Sequence, residues 1–174
     1  MTPASGGGCR VRPFEAGDAE AVAAMVAGLN REEGHDPATA PDAAELRASF
    51  LGAGAWGFLL VAAPGTDAAG PEPEPVGYAT GHATYETEFA ARGFYMGDLY
   101  VSPGHRRRGV GRALVAAMAA GARARGGSFL WWTALPGNAA AHRFYASVGG
   151  AGEDLRAFAL AGAAFGDLTA GAAR

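Results

Sequence analysis

The sequence lacks lysine, has a single cysteine and contains no long apolar run. All 14 of its Lys or Arg residues are arginine, and its four histidines are scattered, so no metal-ligand cluster is expected. Cys9 alone cannot form a disulfide within the chain. No stretch reaches the roughly 18 apolar residues of a membrane span, and residues 1–8 lack the features of a secretory signal. We therefore expect a cytoplasmic protein without a membrane partner.

The length of 174 residues and the apolar content of 49% suit one domain with a buried core. Residues 1–174 are expected to form that single domain, with residues 1–8 as a flexible N-terminus. Residues 64–75 hold four prolines, two glycines and three acids, a composition typical of an exposed loop that packs against nothing.

Hydrophobic periodicity predicts an α/β fold in one domain. Strands are expected at residues 9–14, 56–63, 76–85, 93–101 and 128–135, and the last of these is expected to be a central parallel strand. Helices are expected from Asp18, from Asp42, from about Gly109 and from Asn138. A closing hairpin with its second strand at residues 155–160, and a short helix at residues 165–170, complete the predicted order.

Charge is unevenly distributed along the chain. Residues 1–98 carry five arginines and fourteen acids, whereas residues 99–152 carry seven arginines and no acid. A nucleic-acid-binding protein is more often basic overall, and this chain has a net charge of −3, so no nucleic-acid partner is expected. An enzyme that joins an anionic cofactor to a cationic substrate would benefit from such a division.

The basic segment begins with a motif that suits an anion. Arg106-x-x-Gly109-x-Gly111 follows a predicted strand and opens a predicted helix, whose first N–H groups have no partner within the helix. The glycines allow close approach of a phosphate, and the arginines add forked donors. A kinase-type P-loop would need a lysine, and a dinucleotide fingerprint would need a third glycine near the start of the fold. The motif therefore indicates a pyrophosphate site of another kind; the alternative is a solvated basic helix start that touches nucleic acid.

The motif resembles the acetyl-CoA signature of the GCN5-related N-acetyltransferases (GNAT). Within that superfamily the chain is most similar to the spermidine/spermine (diamine) N-acetyltransferase branch. Three phrases carry the resemblance, and they occur in the family's order: Asp98-Leu-Tyr-Val-Ser-Pro103, Phe129-Leu-Trp-Trp132, and Asn138-Ala-Ala-Ala-His-Arg-Phe-Tyr145. The order of predicted elements is also that of the family.

The resemblance implies a mixed, mostly antiparallel sheet flanked by helices, whose fourth and fifth strands splay apart around acetyl-CoA, with CoA as the product. Backbone groups of Leu99, Tyr100 and Val101 would bond the pantetheine arm, and the Val101 N–H would lie near the thioester oxygen. The pyrophosphate would be held by seven consecutive residues: Arg106, Arg107, Arg108, Gly109, Val110, Gly111 and Arg112. The far side of the cofactor would be lined by Trp131, Asn138, Ala140, Ala141 and Tyr145.

Tyr145 matches the family tyrosine that is proposed to protonate the departing sulfur. A phenol, whose ordinary pKa is about 10, is chemically suited to that role. The general base is not identified, because Gly97 stands where the polyamine enzymes carry a glutamate. The candidates for handling the amine are the neighbouring Asp98, the acids Glu32, Glu33, Glu86 and Glu88, and His82.

The expected reaction is direct transfer of acetyl to a primary amine, without an acyl-enzyme, because Cys9 lies far along the chain from the motifs. Gly97 leaves the acceptor open among polyamines, other diamines, lysine analogues, amino sugars, and a protein N-terminus or side chain. A non-catalytic acetyl-CoA-binding or sensing module is the main alternative. The branch also implies a homodimer.

Overall fold

The structure, a computed structural model, describes residues 4–6, 8–65, 72–88 and 90–172. The chain divides into two compact units, Met1–Thr133 and Ala134–Arg174. Within the described residues, no helix is both long enough and apolar enough to cross a membrane.

The first unit is built on a six-stranded sheet whose strands lie side by side in chain order. The strands are β1 (Ala4–Gly6), β2 (Cys9–Pro13), β3 (Phe58–Pro64), β4 (Gly77–Glu86), β5 (Ala91–Val101) and β6 (Phe129–Trp131). Successive strands pair antiparallel from β1 to β5, and β5 pairs parallel with β6. The predicted mixed, mostly antiparallel sheet is therefore confirmed.

Helices cover both faces of this sheet. On one face, α1 (Ala19–Glu33) and α2 (Ala43–Phe50) bury a cluster that includes Val22, Leu46 and Tyr78. On the other, α3 (Val110–Ala124) lies so close to Gly77 that a Cβ there would come within 3.3 Å of Val110 Cγ1. Because neighbouring strand residues point to opposite faces, Gly77 and Tyr78 show that the two helical layers lie on opposite sides.

The second unit contains α4 (Ala139–Ser147) and α5 (Gly162–Ala172). The prediction of a closing hairpin is wrong, because residues 151–161 have no regular secondary structure and are exposed. Leu155 and Phe158, which lie in the predicted second strand of that hairpin, are 62% and 88% exposed. Alternating side chains do not make a strand unless a neighbouring strand pairs with its backbone.

Three other predictions need correction in the first unit. Residues 4–6, expected to be flexible, form β1 and pair with β2. The strand expected at residues 128–135 is only three residues long, and it lies at the edge of the sheet rather than at its centre. The loop at residues 64–75, of which residues 66–71 lie outside the described residues, does make a contact: the Glu72 carboxylate is 2.7 Å from Arg10 Nη1.

A buried ion pair joins β2 to the start of α1. The Arg12 guanidinium donates to both carboxylate oxygens of Asp18, at 2.7 and 2.8 Å, and both side chains are less than a tenth exposed. The Asp18 carboxylate also accepts the Glu15 backbone N–H at 2.8 Å. Asp18 therefore stands at the predicted cap position of α1 but serves Arg12 and the preceding turn instead.

Replacing Asp18 by asparagine keeps the shape of this side chain and removes its charge. Because Arg12 would remain buried opposite a neutral amide, we expect Asp18→Asn to lower the free energy of unfolding by about 3 kcal/mol, measured by urea denaturation.

The matched control is Glu20→Gln, which neutralises one acid of the exposed Arg47–Glu20 pair on the next helical turn. This variant should unfold at the same urea concentration as the wild type. Equal losses in the two variants would show that burial of the Arg12–Asp18 pair is irrelevant to stability.

Candidate active site

The predicted anion-binding turn joins β5 to α3. After Val101 the chain makes a 3-10 turn at Pro103–His105, and Gly109 precedes α3 with φ of +83°. Arg107 is also left-handed, with φ of +63°. A non-glycine residue in this region costs about 1–2 kcal/mol, so the conformation of the turn is held against a local preference.

The start of α3 is fixed by packing while its N–H groups face outward. Val110, Ala113 and Leu114 are buried on one stripe of the helix, and this stripe sets the direction of the helix axis. No side chain caps the helix at Gly109. The first-turn N–H groups and the exposed side chains of Arg107 and Arg108 thus surround one end of a helix dipole.

Arg106 differs from the arginines that follow it, because its guanidinium turns back toward β5 and α1. Its Nε donates to the Val101 carbonyl oxygen at 2.8 Å, and its Nη2 donates to Glu32 Oε1 at 2.5 Å. The Tyr100 hydroxyl donates to the same Glu32 oxygen at 3.4 Å, and the Arg106 guanidinium lies 5.4 Å from the centre of the Tyr100 ring. The structure therefore brings together one predicted pyrophosphate residue and one predicted substrate residue.

The second half of β5 has one open edge. Parallel pairing with β6 covers only Gly93, Phe94 and Tyr95 of β5, whereas antiparallel pairing with β4 continues to Val101. The Ser102 N–H donates to the Val76 carbonyl oxygen at 2.9 Å, so by alternation the Tyr100 N–H points toward β4. The N–H groups of Leu99 and Val101 consequently point toward the side where β6 has ended.

Asp98 lies in a bulge of β5, where the register with β4 shifts between Ala79 and Gly81. Its backbone N–H donates to Thr80 Oγ1 at 2.9 Å. Burial raises the pKa of the Asp98 carboxyl, and a hydrogen bond from Thr80 partly opposes that rise. Gly97 is exposed beside it, and a Cβ there would meet Thr80 Oγ1 at 3.0 Å. At this point of the strand, Asp98 thus carries a carboxyl with a raised pKa, and Gly97 contributes no side chain.

A buried hydroxyl near Asp98 was not singled out by sequence reasoning. Tyr78 is fully buried, and among the described residues its hydroxyl has no hydrogen-bond partner. Burial raises its pKa, and the nearby carboxylates of Asp98 and Glu33 raise it further. No sequence signal marks this hydroxyl, because an apolar strand position occupied by tyrosine usually indicates a core residue.

A row of rings crosses the sheet beyond this point. The His82 and Tyr95 rings lie 5.2 Å apart, and the Tyr95 and Trp131 rings lie 5.2 Å apart. The Tyr95 hydroxyl is 3.4 Å from Thr133 Oγ1. His82 and Trp131 were predicted from the sequence as a candidate base and as a cofactor-lining residue. Tyr95, whose ring lies between those of His82 and Trp131, was not predicted from the sequence. Its position between the apolar residues Phe94 and Met96 in a predicted strand could have indicated that it faces the other side of the sheet.

The four acids predicted to handle the substrate do not form one cluster. Glu32 and Glu33 end α1, and Glu32 contacts Tyr100, which pairs with Tyr78 near the start of β4. Glu86 ends β4, and Glu88 lies in the turn that follows. From Tyr78 to Glu86 the strand extends roughly 26 Å at about 3.3 Å per residue. Only the first pair of acids therefore lies near Arg106.

In the second unit, Asn138 caps α4 as predicted. Its Oδ1 accepts the Ala141 N–H at 3.0 Å, which fixes the first turn of the helix. Ala140 is exposed and Ala141 is half-buried on this turn. Tyr145 lies one turn further along, half-buried, with its ring 5.2 Å from that of Phe144.

Cys9 and the acids offer no alternative chemistry among the described residues. Burial raises the pKa of the Cys9 thiol, which disfavours the thiolate that a covalent route would require. Within the described residues, no group of three or more His, Cys, Asp or Glu could hold a metal ion.

The raised pKa of the half-buried Asp98 carboxyl leads to a testable prediction about stability. Because the pKa of Asp98 is raised in the folded state, stability falls as pH rises from the unfolded pKa, about 4, through the folded one. We expect Asp98→Asn to raise the melting temperature at pH 7–8, where the carboxylate is charged. The gain should disappear near pH 3, where both states are protonated.

Glu86→Gln is the control, since it removes one negative charge from an exposed position. It should leave the melting temperature unchanged at pH 7. If Asp98→Asn were less stable than the wild type at that pH, the ionised carboxylate would have to be favoured by the fold, contrary to the burial argument.

Several solved structures resemble this fold. An integron cassette protein from the mobile metagenome of Vibrio cholerae aligns with a TM-score of 0.72 and 20% identity, over 94% of this chain and 99% of the other. An aminoglycoside acetyltransferase from an uncultured soil metagenomic sample, in complex with trehalose, aligns with a TM-score of 0.69 and 18% identity, over 87% and 95%. The same enzyme has been solved in complex with sisomicin. A transcriptional regulator from Bacillus halodurans C-125 aligns with a TM-score of 0.67 and 23% identity, over 86% and 99%.

No curated protein matches the sequence significantly. The sequence model of the acetyltransferase (GNAT) family, in contrast, matches residues 22–149, which include the β5–α3 turn, β6 and α4. This match covers most of the chain and extends into the second compact unit. The chain therefore belongs to the GNAT family of acetyltransferases.

Proposed function

We propose that this GNAT acetyltransferase transfers acetyl from acetyl-CoA directly to a primary amine, and that the preferred acceptor is a small cationic amine. The observation that carries the proposal is the position of the β5–α3 turn. It places the N-terminus of α3, with exposed Arg107 and Arg108, next to the open edge of β5. The backbone N–H groups of Leu99 and Val101 point away from β4 at this edge, beyond the end of β6.

These features fit the cofactor part by part. The turn from Arg106 to Arg112 supplies backbone N–H groups and positive charge for a pyrophosphate. The open edge of β5 can bond an extended, amide-containing arm as another strand would. The family resemblance also assigns Trp131, Asn138, Ala140 and Ala141 to the cofactor.

Acetyl-CoA supplies an acetyl group activated as a thioester. The Val101 N–H would donate to the thioester oxygen, where negative charge develops during attack. The Tyr145 hydroxyl would donate its proton to the sulfur as the carbon–sulfur bond breaks, so that CoA leaves as a thiol. The attacking nitrogen loses a proton, and Asp98, whose carboxyl pKa is raised by burial, is the candidate we assign to accept it through water.

The acceptor is inferred from charge and from the exposed rings. The carboxylates of Glu32, Glu33 and Asp98 lie on the side of β5 that faces α1, and they would attract an ammonium group. The ring row of His82, Tyr95 and Trp131 offers flat apolar surface beside them. Amino sugars fit this combination, and three of the similar structures, of two different enzymes, are aminoglycoside acetyltransferases by description. Polyamines and protein amines remain alternatives to be compared in one assay.

We further propose that residues 1–174 act as one domain, because the family match crosses the boundary between the two compact units. The cytoplasm is the proposed compartment. A homodimer is the proposed assembly, from the resemblance to the diamine acetyltransferase branch.

The pyrophosphate site is tested by charge removal at the turn. The double variant Arg107→Gln/Arg108→Gln should bind CoA roughly tenfold more weakly than the wild type by calorimetry, because charge-assisted hydrogen bonds are lost. Affinity for pantetheine, which has no pyrophosphate, should not change.

Arg123→Gln is the control for net charge, since it removes an exposed arginine from the last turn of the same helix. It should bind CoA as the wild type does. Equal weakening in both proteins would indicate nonspecific electrostatics. Oligonucleotide binding that falls steeply with salt and is indifferent to CoA would favour the nucleic-acid alternative.

The reaction is tested by release of free CoA from acetyl-CoA with polyamines, diamines, lysine analogues, aminoglycosides and short peptides. We expect turnover of at least one cationic amine, and a rate lower by about 10²-fold or more in Tyr145→Phe, which retains the ring and loses the proton. Phe144→Tyr, a neighbouring change that leaves residue 145 intact, is the control and should remain active. No turnover of any amine, with CoA still bound, would favour the binding-module alternative.

A further inference from the structure

The ion pair between Glu32 and Arg106 joins a residue proposed to attract the cationic acceptor to a residue proposed to bind the anionic cofactor. Glu32 lies in the last turn of α1, and Arg106 lies in the turn that precedes α3. Their side chains are 43% and 42% exposed, so the pair is accessible to solvent and can be exchanged at little cost. A buried pair of the Arg12–Asp18 type could not be exchanged in this way.

The geometry around the pair is specific. One oxygen of Glu32 receives both the Arg106 Nη2–H and the Tyr100 O–H. A Cβ at Gly28 would come within 2.7 Å of the Tyr100 hydroxyl oxygen, so the hydroxyl occupies space that a larger residue on α1 would contest. The second donor of Arg106, Nε, is held by the Val101 carbonyl oxygen at 2.8 Å. Arg106 is therefore anchored at one end and paired with an exchangeable anion at the other.

We propose that Glu32 is a competing counter-ion of Arg106, which the cofactor pyrophosphate displaces when it binds. This inference rests on the proposed function, because it assigns the Arg106 turn to the pyrophosphate. A doubly charged pyrophosphate attracts a guanidinium more strongly than one exposed carboxylate does. When pyrophosphate replaces Glu32 as the partner of Arg106, the Arg106 Nε–H stays bonded to the Val101 carbonyl oxygen. The Glu32 carboxylate and the Tyr100 hydroxyl bonded to it are then no longer held by Arg106. Glu32 thus sets the affinity for CoA without being a cofactor-binding residue.

The test measures CoA affinity by calorimetry in Glu32→Gln and in Glu33→Gln. The two variants lose the same charge at adjacent exposed positions, but Glu33 contacts His35, at 3.9 Å, and not Arg106. Exchange predicts that Glu32→Gln binds CoA roughly two- to fivefold more tightly than the wild type, the range that corresponds to an exposed ion pair. Glu33→Gln should show little change.

A double-mutant cycle separates exchange from general electrostatics. In the background Arg106→Gln there is no guanidinium to compete for, so adding Glu32→Gln should no longer tighten CoA binding. Pantetheine affinity should be the same in all of these proteins, since pantetheine carries no pyrophosphate.

The outcomes are distinct. Equal affinities for CoA in Glu32→Gln and Glu33→Gln, or a gain that persists without Arg106, would overturn the exchange and leave the acetyltransferase proposal intact. Failure of the wild type itself to bind CoA would overturn both. A gain confined to Glu32→Gln and dependent on Arg106 would establish the exchange.

Discussion

The site depends on the early end of the pairing between β5 and β6. Three residues of β5 pair with β6, while the strand continues to Val101 with its other edge bonded to β4. A strand edge with unpaired N–H groups is normally a liability, because it invites pairing with any extended chain. Here the same edge lies directly before the turn into α3. The unpaired N–H groups of Leu99 and Val101 and the positive end of the α3 dipole are therefore separated only by the β5–α3 turn.

Packing holds this arrangement in place from both faces of the sheet. α3 is aligned by its buried stripe on Gly77, and α1 is aligned by the cluster around Val22 and Tyr78. The apolar layers therefore set the positions of the helices and strands that carry the polar groups. Asp98 illustrates the result: the bulge and the burial around it, rather than a charged partner, raise its pKa.

Local signals in the sequence were sufficient for α1 to α4, for β2 to β5 and for the turn that opens α3. Asn138 and Asp42 cap their helices as their spacing predicts, and glycine and arginine mark the start of α3. Contacts between distant residues were beyond such signals. Glu32 and Arg106 are 74 positions apart, and no pattern pairs them. The apolar run at residues 128–135 likewise does not reveal where strand pairing ends, because pairing depends on the divergence of a neighbour rather than on side-chain type.

The contact between Gly28 and Tyr100 restricts how α1 can move along the sheet. Because the hydroxyl of a β5 residue occupies the space where α1 has no side chain, the helix and the strand interlock at this level of the fold. Sliding of α1 along the sheet would have to displace the ring of Tyr100, the residue that directly precedes Val101. α1 and β5 are therefore in direct contact where Gly28 meets Tyr100, one residue before β5 ends at Val101.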